Sequence, residues 1–250
     1  MSSPPAGAWA VLVAAGRGER LGEDRPKAFV RLGELPLLAE PLRRLDECEW
    51  LDAVVIVAPP EWEEPAILLA EELGASKVTA CVTGGATRTE SVRIGVAEVP
   101  EDAAAILVHD AARPLLPDDL VPRLLQALAV GADGAVPALP VADTIKRVRG
   151  GAVVETLVRG DLVAVQTPQA FVAPVLRRAL AGGEGTDCSS LVEAAGGRVV
   201  TVPGDERLLK VTTRADLERV AAILGISLAP RPLPDAVGDE DEDEDEAWAE

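Results

Sequence analysis

The sequence predicts an α/β fold, a three-layer αβα sandwich around a mostly parallel twisted sheet, and three observations carry that prediction. Short runs of Val, Ile, Leu and Ala alternate along the chain with segments whose apolar residues recur at helical spacing. The first run, Val11-Leu12-Val13, ends in Ala14, Ala15, Gly16 and Gly18, a tight small-residue turn of the kind that follows a buried strand. Runs such as Ala53 to Ala58 (AVVIVA) show no polar alternation, which fits strands covered by helices on both faces.

The elements follow in order. Pro36 to Trp50 places Leu38, Leu42 and Leu45 at helical spacing, and with the strand Ala53 to Ala58 it completes a first βαβ unit. Trp62 to Leu73 reads as a helix stopped by Gly74, Lys77 to Val82 as a strand, and Gly84-Gly85 as a turn into a helix containing Ser91 and Val92. Ala104 to Val108 is a strand broken by His109-Asp110-Ala111-Ala112-Arg113-Pro114. Asp118 and Asp119 lead a helix with Leu120, Leu124 and Leu128 on one stripe, ended by Gly131, and Gly134 to Leu139 is the next strand.

Between residues 141 and 162 the pattern changes. Thr144 to Val148 and Val153 to Val158 flank Gly150-Gly151 and read as a hairpin that projects from the main sheet. Two such strands bury little alone, so this arm is expected to meet a partner surface. From Pro168 the chain is read as helix through Phe171, Val175 and Leu176, and Thr186-Asp187 caps a helix running to Gly196. Arg198 to Val202 and Leu208 to Val211 are read as late strands. Thr213 with Asp216 caps a last helix whose Leu217, Val220, Ala221 and Leu224 form one apolar face. The order describes a Rossmann-like sandwich with a projecting β-hairpin arm, in which residues 9–227 form one domain (141–162 its arm), 1–8 a flexible N-terminus and 228–250 a disordered tail.

Composition limits the partners. The formal charge is −18, but ten acids and no base lie in residues 235–250, which leaves −8 elsewhere. The unbroken acidic run Asp239 to Glu246 repels itself and has nothing to bury, hence the disordered reading. With no Tyr and two Phe, the core must be aliphatic. Cys48, Cys81 and Cys188 are odd in number and lack metal-ligand spacing, so free thiols in a reducing compartment are expected. The start lacks a basic segment followed by an apolar one, and no apolar run approaches the roughly 18 residues of a membrane span. A cytoplasmic protein with no nucleic-acid or membrane partner is the expectation.

The stretch Trp9 to Lys27 carries the first chemical signal. Backbone N–H groups in a glycine-rich turn can cradle an anion, and Arg17, Arg20 and Lys27 add positive charge where a polyphosphate needs it. Two commoner motifs are excluded by spacing. The Gly-Lys-Ser/Thr of a Walker A loop is missing after Gly16, and Gly16, Gly18 and Gly22 are spaced GxGxxxG, not the GxGxxG of a dinucleotide fingerprint. Nor does an acidic residue close the next strand, which ends Val57-Ala58-Pro59.

Several motifs together are more specific: AAGRGERLGEDRPKAF (Ala14 to Phe29), GGATRTESV (Gly84 to Val92), VHDAARP (Val108 to Pro114), DTIKRV (Asp143 to Val148), QTPQAF (Gln166 to Phe171), Thr186-Asp187 and LLKVTT (Leu208 to Thr213). In order and approximate spacing the series resembles the 2-C-methyl-D-erythritol 4-phosphate cytidylyltransferases over residues 9 to 225. That resemblance implies transfer of CMP from CTP to methylerythritol phosphate with release of pyrophosphate, in the non-mevalonate route to isoprenoids. It further implies that Ala14, Ala15, Gly16 and Gly18 contact CTP through backbone, that Arg20 and Lys27 meet its phosphates and Lys210 the α-phosphate, and that Gly85, Ala86 and Ser91 frame cytosine and ribose. Asp110, Arg113 and Thr167 would hold the acceptor, with Thr144 and Arg159 reaching in from the arm of a second subunit of a homodimer. Mg²⁺ would bridge the triphosphate, with Asp110 the candidate protein ligand.

Two positions depart from the family's pattern. Ala86 stands where relatives often carry a polar or acidic residue, and Cys188-Ser189 where an acidic residue and alanine are commoner. The same framework would also suit another polyol phosphate such as ribitol 5-phosphate. A non-catalytic nucleotide-binding module is the alternative of a different class, but it would not need Arg20, Lys27, Asp110 and Lys210 together. His109, the chain's single histidine, is read as a structural hydrogen-bonding residue, because the attacking phosphate is already ionised and no general base is required.

Overall fold

Alternation within the strands builds the layers. In the computed structural model, which describes residues 7–16 and 25–228, the first strand β1 (Ala8–Val13) points Leu12 to one face of the sheet and Val11 to the other. Strand β4 (Ala53–Ala58) does the same with Val54 and Ile56 against Val55 and Val57. Both faces are therefore apolar, and each needs a helical cover.

Between these strands lie a short hairpin, β2 (Arg31–Leu32) and β3 (Leu35–Pro36), and the helix α1 (Ala39–Glu47). Then come α2 (Glu63–Glu72), β5 (Val78–Thr83), α3 (Arg88–Ala97), β6 (Ala105–Asp110), α4 (Leu120–Ala129) and β7 (Gly134–Pro140). The arm is β8 (Lys146–Arg149) and β9 (Ala152–Thr156), and the chain closes with β10 (Val163–Val165), β11 (Gln169–Val172), α5 (Ala173–Ala181), α6 (Cys188–Ala194), β12 (Val199–Pro203) and α7 (Arg214–Leu224).

The main sheet runs β10-β7-β11-β6-β1-β4-β5, with β12 also paired to β7. Pairs β6–β1, β1–β4, β4–β5 and β12–β7 are parallel, while β10 and β11 run antiparallel to their neighbours. Leu42, Leu69 and Leu124 of α1, α2 and α4 cover one face, and Val92, Leu176 and Val192 of α3, α5 and α6 cover the other. A third apolar cluster joins Leu217 and Val220 of α7 to Val30, Leu32 and Val211. The expected α/β sandwich with a mostly parallel sheet is thus what forms.

Helix ends follow their side chains. Thr87 accepts the Glu90 N–H at 3.1 Å to start α3, Asp187 accepts the Ser190 N–H at 2.9 Å to start α6, and Thr213 with Asp216 forms the expected capping box of α7. Gly225, left-handed at φ 67°, ends α7. β1 starts at Ala8, ahead of the expected Val11, because the Asp52 carboxylate accepts the Gly7 and Ala8 N–H groups at 3.0 and 2.8 Å. The segments 1–8 and 228–250, apart from Gly7, Ala8 and Leu228, and the residues Gly18 and Arg20 lie outside the described residues.

The structure corrects two elements. The segment from Pro168 through Phe171 is strand β11, and helix α5 starts only at Ala173. Phe171, fully buried, pairs with Ile106 on one side and Gly134 on the other, and a Cβ on Gly134 would lie 2.8 Å from the Phe171 ring. A four-residue antiparallel return carries no period that separates it from the helix it feeds. Leu208 to Val211 makes no strand. Its apolar residues Leu208 and Val211 each drop into a different cluster of the core, with Lys210 exposed between them. Two short elements went unread in the sequence, the β2–β3 hairpin and β10.

The arm is a separate two-stranded sheet. Gly150 and Gly151 at its tip both have positive φ, 54° and 82°, as a tight two-glycine turn requires. All nine of its strand residues are exposed, and Val148, Val153 and Val154 are more than half open to solvent.

Truncating Phe171 tests the β11 seam. Phe171→Ala should lower unfolding free energy by about 3–5 kcal/mol, seen as a shift in denaturant midpoint at unchanged slope, and Phe171→Leu should cost clearly less.

Candidate active site

Four parallel strands end on one cleft of about 450 Å³. The end of β1 gives Ala14, Ala15 and Gly16, that of β4 gives Pro59 and Pro60, that of β5 gives Gly84 to Thr87, and that of β6 gives Asp110. A crevice at the carboxyl ends of strands is where open α/β sheets bind ligands.

One wall is a polar loop whose donors are already used. Gly85 N–H is accepted by Ser91 Oγ at 3.1 Å and Ala86 N–H by Glu90 Oε2 at 2.7 Å. A Cβ at 85 would stand 2.2 Å from Glu90 Cγ, so a larger residue there would displace the Glu90 side chain that accepts the Ala86 N–H. With these N–H groups satisfied internally, this end of the cleft suits an uncharged ring better than an anion.

The cleft also carries a cationic cluster. Arg88 donates to Asp110 Oδ1 from Nε at 3.1 Å and from NH2 at 2.9 Å, and Lys210 Nζ donates to Oδ2 at 2.7 Å. Asp110 is 7% exposed. Burial alone would push its carboxyl up, but the Arg88 and Lys210 charges outweigh that and hold it well below the usual carboxylate range. Lys27 Nζ donates to the Val211 carbonyl at 3.0 Å, which brings the two lysines' backbone segments together. Lys27, Arg88 and Lys210 against Asp110 leave an excess of positive charge on the cleft, as an anionic ligand needs.

Behind Asp110 lies a buried relay. Its N–H is accepted by Thr167 Oγ1 at 3.0 Å, and the same hydroxyl lies 3.2 Å from His109 Nδ1, whose ring Nε2 is 3.0 Å from the Arg113 carbonyl. The network assigns the proton of His109 to Nε2 and makes Thr167 the donor to Nδ1. Complete burial drops the His109 pKa to about 4, so the ring is neutral. It faces backbone, not the cleft, and acts as a strut.

The sequence-derived residues therefore separate by place. Ala14, Ala15, Gly16, Lys27, Gly85, Ala86, Ser91, Asp110 and Lys210 all line the cleft. Thr167 lies one layer behind, and Arg113 is turned to the Leu208 carbonyl at 2.7 Å. Thr144 and Arg159 sit exposed on the arm, where Arg159 donates to the Ala142 carbonyl. Arg88 was missed, although it carried a signal: a cation on the first residue of a helix opposes the helix dipole unless an anion faces it. Arg88 also donates to Cys188 Sγ at 3.7 Å, and burial pushes that thiol up to about 11. No group of three or more His, Cys, Asp or Glu side chains suited to a metal occurs among the described residues, and no helix among them is long and apolar enough to cross a membrane.

His109 makes stability depend on pH. Its pKa is lowered on folding, so the unfolded chain binds the extra proton between about pH 6.5 and 4 and stability falls as pH drops through that window, by about 3 kcal/mol in all. Urea unfolding across this range should show that loss, and His109→Gln should flatten it.

Known proteins match this architecture. A family model described as 2-C-methyl-D-erythritol 4-phosphate cytidylyltransferase (IspD) matches residues 8–226. A relative of that name from Nocardia farcinica is 46% identical over 217 residues, spanning 86% of this chain and 93% of the relative. A crystal structure of 4-diphosphocytidyl-2C-methyl-D-erythritol synthase is similar with a TM-score of 0.75 at 36% identity, covering 87% of this chain and 98% of the other. The 2-C-methyl-D-erythritol 4-phosphate cytidylyltransferase of Thermus thermophilus is similar with a TM-score of 0.70 at 34% identity, covering 86% and 98%. The chain belongs to the 2-C-methyl-D-erythritol 4-phosphate cytidylyltransferase family.

Proposed function

We propose that the cleft transfers CMP from CTP to 2-C-methyl-D-erythritol 4-phosphate, giving 4-diphosphocytidyl-2-C-methyl-D-erythritol and pyrophosphate for isoprenoid precursor synthesis. The observation that carries the site assignment is the cluster of Lys27, Arg88, Asp110 and Lys210 beside a small-residue turn, in a chain matched over residues 8–226 by that family.

The chemistry fits these groups. An ionised phosphate oxygen of the acceptor attacks the α-phosphorus, the bond to the bridging oxygen breaks, and the electron pair leaves on pyrophosphate. No proton has to be removed from the nucleophile, so no general base is required. The work left for the protein is in-line positioning and neutralisation of developing charge. Lys210 meets the α-phosphate, and Lys27 the outer phosphates, with Arg20 assigned to them as well. Ala14, Ala15, Gly16 and Gly18 offer close backbone approach, and Gly85, Ala86 and Ser91 frame base and ribose. Asp110, kept ionised by its partners, fixes Lys210 and Arg88 and faces the acceptor, with Arg113 and Thr167 supporting it from behind.

The donors suit Mg²⁺ held mainly by nucleotide oxygens. The one cleft carboxylate among the described residues, Asp110, is of the right type but already carries Arg88 and Lys210 on its two oxygens, so Mg²⁺ would take most of its ligands from substrate phosphates and water. Bound there, the ion would add charge neutralisation at the triphosphate. The exposed valines of the arm support a homodimer in which Thr144 and Arg159 complete the neighbouring site. Three free cysteines accord with a cytoplasmic location.

Pyrophosphate release from CTP, Mg²⁺ and methylerythritol phosphate tests the assignment. Lys27→Ala and Lys210→Ala should each lower turnover by about 10²–10³-fold with the circular dichroism spectrum unchanged, and normal turnover in either would refute its role. The shared site has its own test. Arg159→Ala and Lys210→Ala proteins, each poorly active, should regain activity when mixed and allowed to exchange subunits, because one site of the mixed dimer is intact; no recovery would count against it.

A further inference from the structure

Gln166 is buried at 5% exposure, lies outside the cleft, and has no part in the reaction described above. Its amide is spent entirely on one loop. Nε2 donates to the carbonyls of Asp205 at 2.8 Å and Leu208 at 3.4 Å, and Oε1 accepts the Asp205 N–H at 3.1 Å. Only this orientation of the amide gives donors to the two carbonyls and an acceptor to the N–H.

That loop has no sheet to hold it. Strand β12 ends at Pro203, and the segment that follows carries Lys210 into the cleft without pairing to a strand. Side-chain bonds and isolated backbone bonds fix it instead. The Leu208 carbonyl receives Gln166 and Arg113, the latter at 2.7 Å, while Val211 donates its N–H to the Ala112 carbonyl at 2.8 Å and accepts Lys27 at its own carbonyl. Lys210 hangs between these two anchors. Gly204 makes the first anchor possible, since a Cβ there would stand 2.4 Å from Gln166 Oε1.

We infer that Gln166 is a positioning residue for Lys210: by reading the backbone of residues 205–208 it sets where the ammonium group meets Asp110 and the α-phosphate. The inference rests on the assignment of Lys210 given above. A misplacement of about 1 Å in a charge that has to follow the reacting phosphorus costs up to roughly 10²-fold in rate, so the effect falls mainly on kcat.

A double-mutant cycle tests this. Gln166→Met keeps the volume and removes the three hydrogen bonds. It should lower kcat by tenfold or more with KM for CTP little changed, and have almost no further effect in a Lys210→Ala background. Gly204→Ala, which presses on the same amide, should reproduce the loss and fail to add to it. Should Gln166→Met not fold, Gln166→Glu, with an acceptor facing two carbonyls, takes its place in the cycle. Equal rate losses with and without Lys210, or an unchanged kcat in folded Gln166 variants, would overturn the positioning role. An unchanged turnover in Lys210→Ala alone would instead overturn the assignment of the lysine.

Discussion

A carboxylate almost entirely removed from water is tolerable only between cations, and the cleft is built around that constraint. Asp110 sits at the end of a fully buried strand, where its charge would cost several kcal/mol without partners. Arg88 from α3 and Lys210 from the loop before α7 supply them, so three distant parts of the chain are tied at one point. The arrangement brings α3 against the end of β6 and prepays the ordering of a lysine that would otherwise carry substantial rotamer entropy. The lysine is thus oriented before any ligand arrives.

The layers around this point come from simple alternation. Odd and even residues of β1, β4 and β6 feed opposite apolar clusters, and α1, α2 and α4 on one side and α3, α5 and α6 on the other close them. The antiparallel strand β11 is inserted between β6 and β7, with β10 antiparallel on the other side of β7, and Thr167, just before β11, is thereby delivered to the back of Asp110. The irregular part of the sheet is thus the part that supports the chemistry.

Much of this was legible in the sequence. The runs at Val11–Val13, Ala53–Ala58 and Ala104–Val108 gave the parallel strands because strands buried on both faces leave uninterrupted apolar words, and Thr213 with Asp216 announced α7 because a capping box is local. What escaped depends on tertiary partners. Phe171 reads equally as helix or strand until Gly134 opens a space beside it, and Leu208 to Val211 imitates a strand because two separate clusters each take one residue. Within the site, the cleft-lining residues Lys27, Asp110 and Lys210 were accessible through motif order. Gln166 was visible only as part of a motif, since nothing in sequence marks an amide that spends all its hydrogen bonds on backbone.

The third apolar cluster has a consequence beyond stability. Val30 and Leu32, which follow Lys27, and Val211, which follows Lys210, pack with Leu217 and Val220 of α7 in one small aliphatic body. The two ammonium groups are therefore carried by segments that share a single block of close-packed side chains, and their separation is gauged by methyl groups that never touch a ligand. Helix α7 works as a spacer: the distance between the two lysine-bearing segments is written in the volume of the leucine and valine side chains it packs between them.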